Sequence, residues 1–277
     1  MGIDALQLVN AQGSSLTVEQ AIANLQQTED PGLRYYAAWW LGRFRVAQPE
    51  AIEALQRALN DETDRSSDGG YPLRRNAARA LGKLGDRQVV PALMRCLECP
   101  DYYVREAAAQ ALEALADSQA IPALQALLAG GVEAAVLVEG TPHLVQPYNA
   151  VLEALGSLGA TEVVPEIAAF LSHPVTQVQN AAARAMYQLT GEATYCEPLV
   201  QRLYEPNLQL RRSAMMDLGA IGYLPAAQPI AAALAENSLK LIALQGILES
   251  HLRHIDFPQA GLSGEARQVL SLMDGLL

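Results

Sequence analysis

The stretch L-R-Y-Y-A-A-W-W-L-G-R-F-R-V, running from Leu33 to Val46, decides the fold. Without its aromatics it reads [L/V]-R-x-x-A-A-x-A-L-G-x-L-G. That pattern returns at Leu73, Val104, Pro147, Val178 and Leu210, with a degenerate copy at Leu239. The starts lie about thirty residues apart, except at two places where the interval grows by roughly ten, and recurrence at such a period marks a repeat architecture. A second apolar segment follows each copy, opening at Pro49, Pro91, Pro122, Pro165, Pro198 and Pro225. Proline suits a first helical turn, where its missing N–H would be unpaired anyway, and the glycines before it end the preceding helix. Two helices per unit predict an all-α fold, an α-solenoid of HEAT-like helical hairpins. The expectation is one repeat domain over residues 1–277. Residues 1–29 supply capping helices with Ser15 or Thr17 as N-cap, residues 30–262 the repeats, and residues 263–277 a closing helix.

Composition agrees with helix. The chain is 51% apolar but only 5% aromatic, with Ala and Leu dominant, and these lose least on entering a helix. Nineteen basic residues face thirty acidic ones, a net charge of -11, with no basic run. Nucleic acid is therefore excluded as a partner, because that binding rests on clustered Lys and Arg. No apolar window approaches the ~18 residues of a membrane span, so no membrane insertion and a soluble, cytoplasmic setting are expected. Three cysteines describe no disulfide framework. Cys96 and Cys99 have metal-like spacing without a second pair, His251 and His254 lack a third ligand, and Cys196, His143 and His173 stand alone, so no metal is expected. Nucleophile, zinc and phosphate-loop motifs are missing too, leaving no self-contained catalytic constellation.

Helical geometry sorts the motif positions. Offsets 0, 4, 7 and 11 should point into the stack, and offsets 2, 6 and 9 away from it, on the helix that lines the concave side in HEAT-like arrays. The outward set opens with Tyr35, Trp39 and Gly42 and continues with Arg75, Arg79, Gly82, Glu106, Gln110 and Glu113. Tyr35 and Trp39 beside Arg75 and Arg79 suit a flat, conjugated ligand bearing carboxylates: rings stack on its plane, and forked N–H donors hold its acids. The same residues also suit a protein interface, or a simple cap on the first repeat. Arg34, Arg74, Arg105 and Arg211 share offset 1 and read as a structural ladder pairing with loop acids such as Asp30 and Asp101. Two insertions, residues 60–72 and 130–146, lengthen loops where function is often carried, with Tyr71 and Tyr148 beside them.

In Arg34-Tyr35-Tyr36-Ala37-Ala38-Trp39-Trp40-Leu41-Gly42-Arg43-Phe44-Arg45-Val46 the chain resembles the E-type subunits of the heterodimeric E/F phycocyanobilin lyases of cyanobacteria. The likeness extends through residues 72–82, 146–156 and 239–245. It implies a lyase active only with an F-type partner subunit, itself a HEAT-like array. The pair attaches phycocyanobilin by a thioether to a cysteine of the phycocyanin α subunit, with the pigment as substrate and no further cofactor. The family also includes phycoerythrocyanin enzymes, which isomerise the bilin through a motif in the F-type partner. On this reading the thiol belongs to the acceptor, and the lyase holds the bilin and presents its ethylidene carbon. Arg75 and Arg79 are the first choice for the two propionates, with Arg184 and Arg212 as alternatives. Asp61, Asp64 and Asp68 are candidates for an acid near the pyrrole nitrogens. A different class of function, a non-enzymatic adaptor or chaperone for phycobiliprotein assembly, also fits the missing catalytic constellation.

Overall fold

The computed structural model describes residues 16–253 and 262–277, so Ser15 and His254 lie outside the described residues. The chain packs as two compact units. The first runs to Leu127 and takes in Leu137–Pro147; the second comprises Leu128–Val136 and Tyr148–Leu277.

The first unit contains α1 (Val18–Gln26), α2 (Pro31–Arg43), α3 (Pro49–Ala58), α4 (Pro72–Leu84), α5 (Val90–Cys96), α6 (Tyr102–Leu115) and α7 (Ile121–Ala126). Thr17 opens α1 with a reciprocal capping box to Gln20, which satisfies two amide groups at an otherwise open helix end. Proline occupies the first turn of α2, α3, α4, α5 and α7. The motif helices α2, α4 and α6 pack side by side, α2 on α4 and α4 on α6. Their core is one leucine layer: Leu41, Leu55, Leu73, Leu81, Leu93, Leu112 and Leu124 are fully buried, and each contributes on the order of 1.5–3 kcal/mol.

One positional expectation fails here. The offset-9 glycines face the next helix and not the outside: a Cβ on Gly42 would stand 2.8 Å from the Ala80 Cα, and one on Gly82 2.7 Å from the Ala111 Cα. Glycine against alanine is what lets the axes approach so closely.

The second unit holds α8 (Gly131–Ala134), α9 (Tyr148–Ser157), α10 (Val164–Ala169), α11 (Thr176–Thr190), α12 (Glu197–Arg202), α13 (Leu208–Ile221), α14 (Ala227–Ala232), α15 (Asn237–Arg253) and α16 (Gly264–Asp274). It repeats the same hairpins, with α9 on α11, α11 on α13 and α13 on α15. Ser263 caps α16 through its side chain. His173 is fully buried. Its Nδ1 accepts from the Val175 N–H at 3.0 Å, so the proton sits on Nε2, which donates to the Ala135 carbonyl at 2.8 Å. A neutral imidazole thus straps the end of α8 to the unit. Among the described residues no helix is long and apolar enough to cross a membrane.

Candidate functional site

The face of α2 divides its aromatics. Trp39 is 45% exposed while Trp40 is buried and packs on Phe44, ring centroids 5.0 Å apart. The ring stacked on Trp39 is that of Tyr36, three residues back, at 5.6 Å and 28°. Tyr35, expected to share that platform, is half-buried and engages Asp64 instead; burial first, then the Asp64 carboxylate and its hydrogen bond, push the phenol pKa up. The platform is therefore the exposed Trp39 with the half-buried Tyr36 stacked on it.

Asp61 and Asp64 of the first insertion are already engaged. The buried Arg34 guanidinium reaches Asp61 at 2.9 Å, Asp64 and Thr63 at 3.3 Å, and through Nε the Leu25 carbonyl at 3.2 Å. Burial acts to raise the Asp61 carboxyl, but the hydrogen bonds from Arg34, the Asp64 amide and Thr63 outweigh it and hold the pKa low. Asp68 is held low by the Ser66 hydroxyl and the Gly70 amide. Groups stabilised as carboxylates make poor proton donors at neutral pH. The offset-1 ladder is structural, but apart from Arg34 its partners are mainly carbonyls rather than Asp30 and Asp101. Arg74 donates to Asp61 O at 2.6 Å, Arg105 to Cys99 O at 2.6 Å and Val145 O at 2.8 Å, and Arg211 to Leu234 O at 2.9 Å.

Arg75 and Arg79 lie on α4, facing Glu106 on α6. Arg79 makes only a long contact, 3.9 Å, to the Glu106 carboxylate. The Arg75 guanidinium lies over the Tyr103 ring at 4.6 Å, and its buried Nε has no hydrogen-bond partner. Arg75 is thus engaged by a ring contact, and Arg79, 45% exposed, by one long ion pair. Beside them α4 and α6 enclose a groove of about 280 Å³ lined by Arg79, Gly82, Lys83, Ala107, Gln110 and Ala111. The floor is small and apolar because glycine meets alanine there; the rim carries two cations. Glu106 stands next to it, and burial raises its pKa above the ordinary carboxylate value although Arg79 and Arg75 act to lower it.

The insertions meet in a second recess of the same unit, a cleft of about 380 Å³ whose walls include Arg65, Tyr71, Tyr102, Tyr103, Arg105 and His143. The Arg65 and Arg74 guanidinium groups lie over the Tyr71 ring, at 3.8 and 4.0 Å from its centre, so the ring is already engaged. His143 stacks on Tyr102 at 4.2 Å and meets Tyr103 edge-on at 5.8 Å. Its Nδ1 lies 2.9 Å from the Leu144 carbonyl, an acceptor only, which makes Nδ1 the donor. Sequence reasoning left His143 without a partner and passed over Tyr102 and Tyr103. The Tyr-Tyr doublet directly after Asp101, just before the motif start at Val104, was the available signal.

Other expected residues are occupied elsewhere. Tyr148, expected at a binding surface, is 1% exposed and packs on Phe170 at 5.4 Å, because it enters α9 on the inward side; it offers a ligand nothing. Arg184 pairs with Glu153 at 3.1 Å and Asp217 at 3.7 Å, and Arg212 with Glu236. All three cysteines are free and buried, and burial raises the thiol pKa to about 11 at Cys96 and about 12 at Cys196. No cluster of potential metal ligands occurs among the described residues.

Repeating helical hairpins with close glycine contacts define a HEAT-repeat protein, and comparison with known proteins agrees. HEAT repeats match residues 64–137 and 146–219, and the PBS lyase HEAT-like repeat matches residues 33–61 and 210–236. The chain is 64% identical over 262 residues to phycocyanobilin lyase subunit alpha of Synechocystis sp., covering 94% of this chain and 96% of that one. It is 60% identical to the subunit of the same name from Synechococcus elongatus over 95% of this chain and 97% of that one. A chain in the structure of the complex of CpcE and CpcF of phycocyanin lyase from Nostoc sp. PCC7120 superimposes with a TM-score of 0.89 at 60% identity, covering 99% of this chain and all of that one. This chain belongs to the phycocyanobilin lyase α-subunit family.

Proposed function

We propose that this chain is the bilin-positioning subunit of a phycocyanobilin lyase, active with an F-type partner and attaching the pigment by a thioether to a cysteine of the phycocyanin α subunit. The observation that carries this reading is the end-to-end correspondence, in sequence and backbone, with a chain of the CpcE and CpcF complex. The geometry adds what such a subunit needs. The exposed Trp39, with the half-buried Tyr36 stacked on it, offers a surface for a conjugated plane. Arg75, held by a ring contact, and Arg79, held by one long ion pair, are the arginines for two propionates, beside a groove whose floor is apolar. Arginine forks suit this task because each can hold a carboxylate with two parallel bonds.

The buried thiols favour positioning over covalent carriage. A thiol with a pKa near 11 or 12 is protonated at neutral pH, so the attacking thiolate belongs to the acceptor. Holding bilin and thiolate in a near-attack geometry can supply roughly 7–11 kcal/mol in well-oriented systems. The pigment is the substrate and no other cofactor is needed. The reading places the reaction in the cytoplasm.

Reconstitution tests the proposal. The chain, the F-type partner, apo-acceptor and phycocyanobilin should yield colour that stays on the acceptor after denaturation, and omitting either subunit should abolish it. No covalent colour from the complete mixture, with pigment absorption unchanged, would overturn it.

A further inference from the structure

Of the carboxyl groups in the first unit, Glu106 has the most distinctive setting. It projects from the third position of the α6 motif, beside two arginines of the neighbouring helix, its side chain only 20% exposed. The charged and titratable groups acting on it are Arg79 and Arg75 from α4 and, on its own helix, Tyr102. Ala107 and Gln110, one and four residues on, line the groove that Arg79 and Lys83 rim. A planar ligand lying on that floor with its acids on Arg75 and Arg79 brings its interior against this carboxyl.

We propose that Glu106, paired with Arg79, is the proton donor of the attachment reaction beside the groove where the bilin lies. The inference rests on the lyase reading above and names a residue that sequence reasoning had placed on the outward face without a role. Attachment adds a thiol across the exocyclic ethylidene double bond. The acceptor thiolate forms the carbon–sulfur bond at the ethylidene carbon, the π pair moves toward the ring, and the adjacent ring carbon must gain one proton. Glu106 supplies that proton, and its carboxylate recovers one from solvent, replacing the proton the thiol released. Atoms and charge balance without an oxidant or reductant.

Three features favour Glu106 over the acids of the first insertion. Asp61 and Asp64 are bound by Arg34, and Asp68 by Ser66 and Gly70. Burial raises the Glu106 carboxyl above its ordinary value despite its two cationic neighbours, the direction a general acid requires. Its 3.9 Å contact to Arg79 is long enough to yield when a substrate carboxylate takes the guanidinium.

The test uses the full heterodimer with acceptor and phycocyanobilin, comparing wild type with Glu106→Gln and Glu106→Asp. Glutamine keeps the shape and removes the proton. Pigment binding, read by absorption, should stay within about threefold, while the single-turnover attachment rate falls about a hundredfold, the scale of lost general acid catalysis. The wild-type rate should decline at high pH as the acid ionises, and Glu106→Gln should lose that limb while keeping the rise due to the acceptor thiolate. Glu106→Asp should restore part of the rate and the limb. An unchanged rate and profile in Glu106→Gln would overturn the assignment. Binding and rate falling in equal proportion with the limb intact would also overturn it, reducing Glu106 to a structural partner of the arginines. Failure of the wild-type heterodimer to bind pigment at all would instead overturn the lyase reading, and the inference with it.

Discussion

The Arg75 guanidinium lies 4.6 Å from the centre of the Tyr103 ring. This one contact joins two features that the sequence presents separately, the arginine face of α4 and the cleft beneath the insertions. Cation–π attraction holds the guanidinium without consuming its N–H donors in hydrogen bonds. Arg75 is thereby ordered yet still able to bind an acid.

Trp39 and Tyr35 should behave differently although one turn separates them. Trp39→Ala removes an exposed ring and its stacking on Tyr36, costing about 0.5–1.5 kcal/mol of stability and weakening bilin binding about tenfold or more. Tyr35→Phe removes a hydroxyl directed at Asp64 and should leave bilin affinity unchanged. Absorption titration beside thermal denaturation separates the two effects.

Arg34→Ala strips the partner from two buried carboxylates, Asp61 and Asp64, and should destabilise the chain by about 3–5 kcal/mol. The pH dependence has a definite sign. The folded pKa of Asp61 is depressed, so its contribution is complete above the unfolded value of about 3.9 and is lost as pH falls through the lower folded value. Urea unfolding of wild type and Asp61→Asn should differ at pH 7 and converge in acid.

Gly82→Ala reverses an ordinary trend. Alanine normally favours a helix over glycine by about 1 kcal/mol, but here its Cβ would fall 2.7 Å from the Ala111 backbone. Forcing α4 and α6 apart should cost about 1–3 kcal/mol, read as a lowered Tm, and should perturb the groove between them.

The cysteines should be silent. With thiol pKa values near 11 and 12 at Cys96 and Cys196, maleimide labelling of the native chain at pH 7 should be slow and become rapid on unfolding. Cys196→Ala should leave attachment activity intact.

The architecture was legible because its determinants are local and repeated. L-R-x-x-A-A gives a helix with a small-residue seam, proline starts its partner, and Thr17 and Ser263 cap α1 and α16 through their side chains. The site was less legible, since contact across helices decides it. Offset alone turned Gly42 and Gly82 outward, whereas their missing side chains are what let the next helix in. It also put Tyr35 on the Trp39 platform, where the Asp64 carboxylate draws it away. The acids of the first insertion looked free because nothing in sequence ties residue 34 to residues 61 and 64. Tyr148 looked like a loop residue, and the inward start of α9 buries it.

The central claim is that Arg79, with Arg75, holds the acid arms of a pigment lying in the α4 and α6 groove. Its most direct test compares binding of phycocyanobilin and of its dimethyl ester by wild type and Arg79→Ala, alone and combined with Arg75→Ala, in the heterodimer. The expected result is that the variants lose about tenfold or more in affinity for the diacid, as removal of a charged hydrogen bond implies, and almost nothing for the ester. Equal losses for both ligands, or no loss for the diacid, would contradict it.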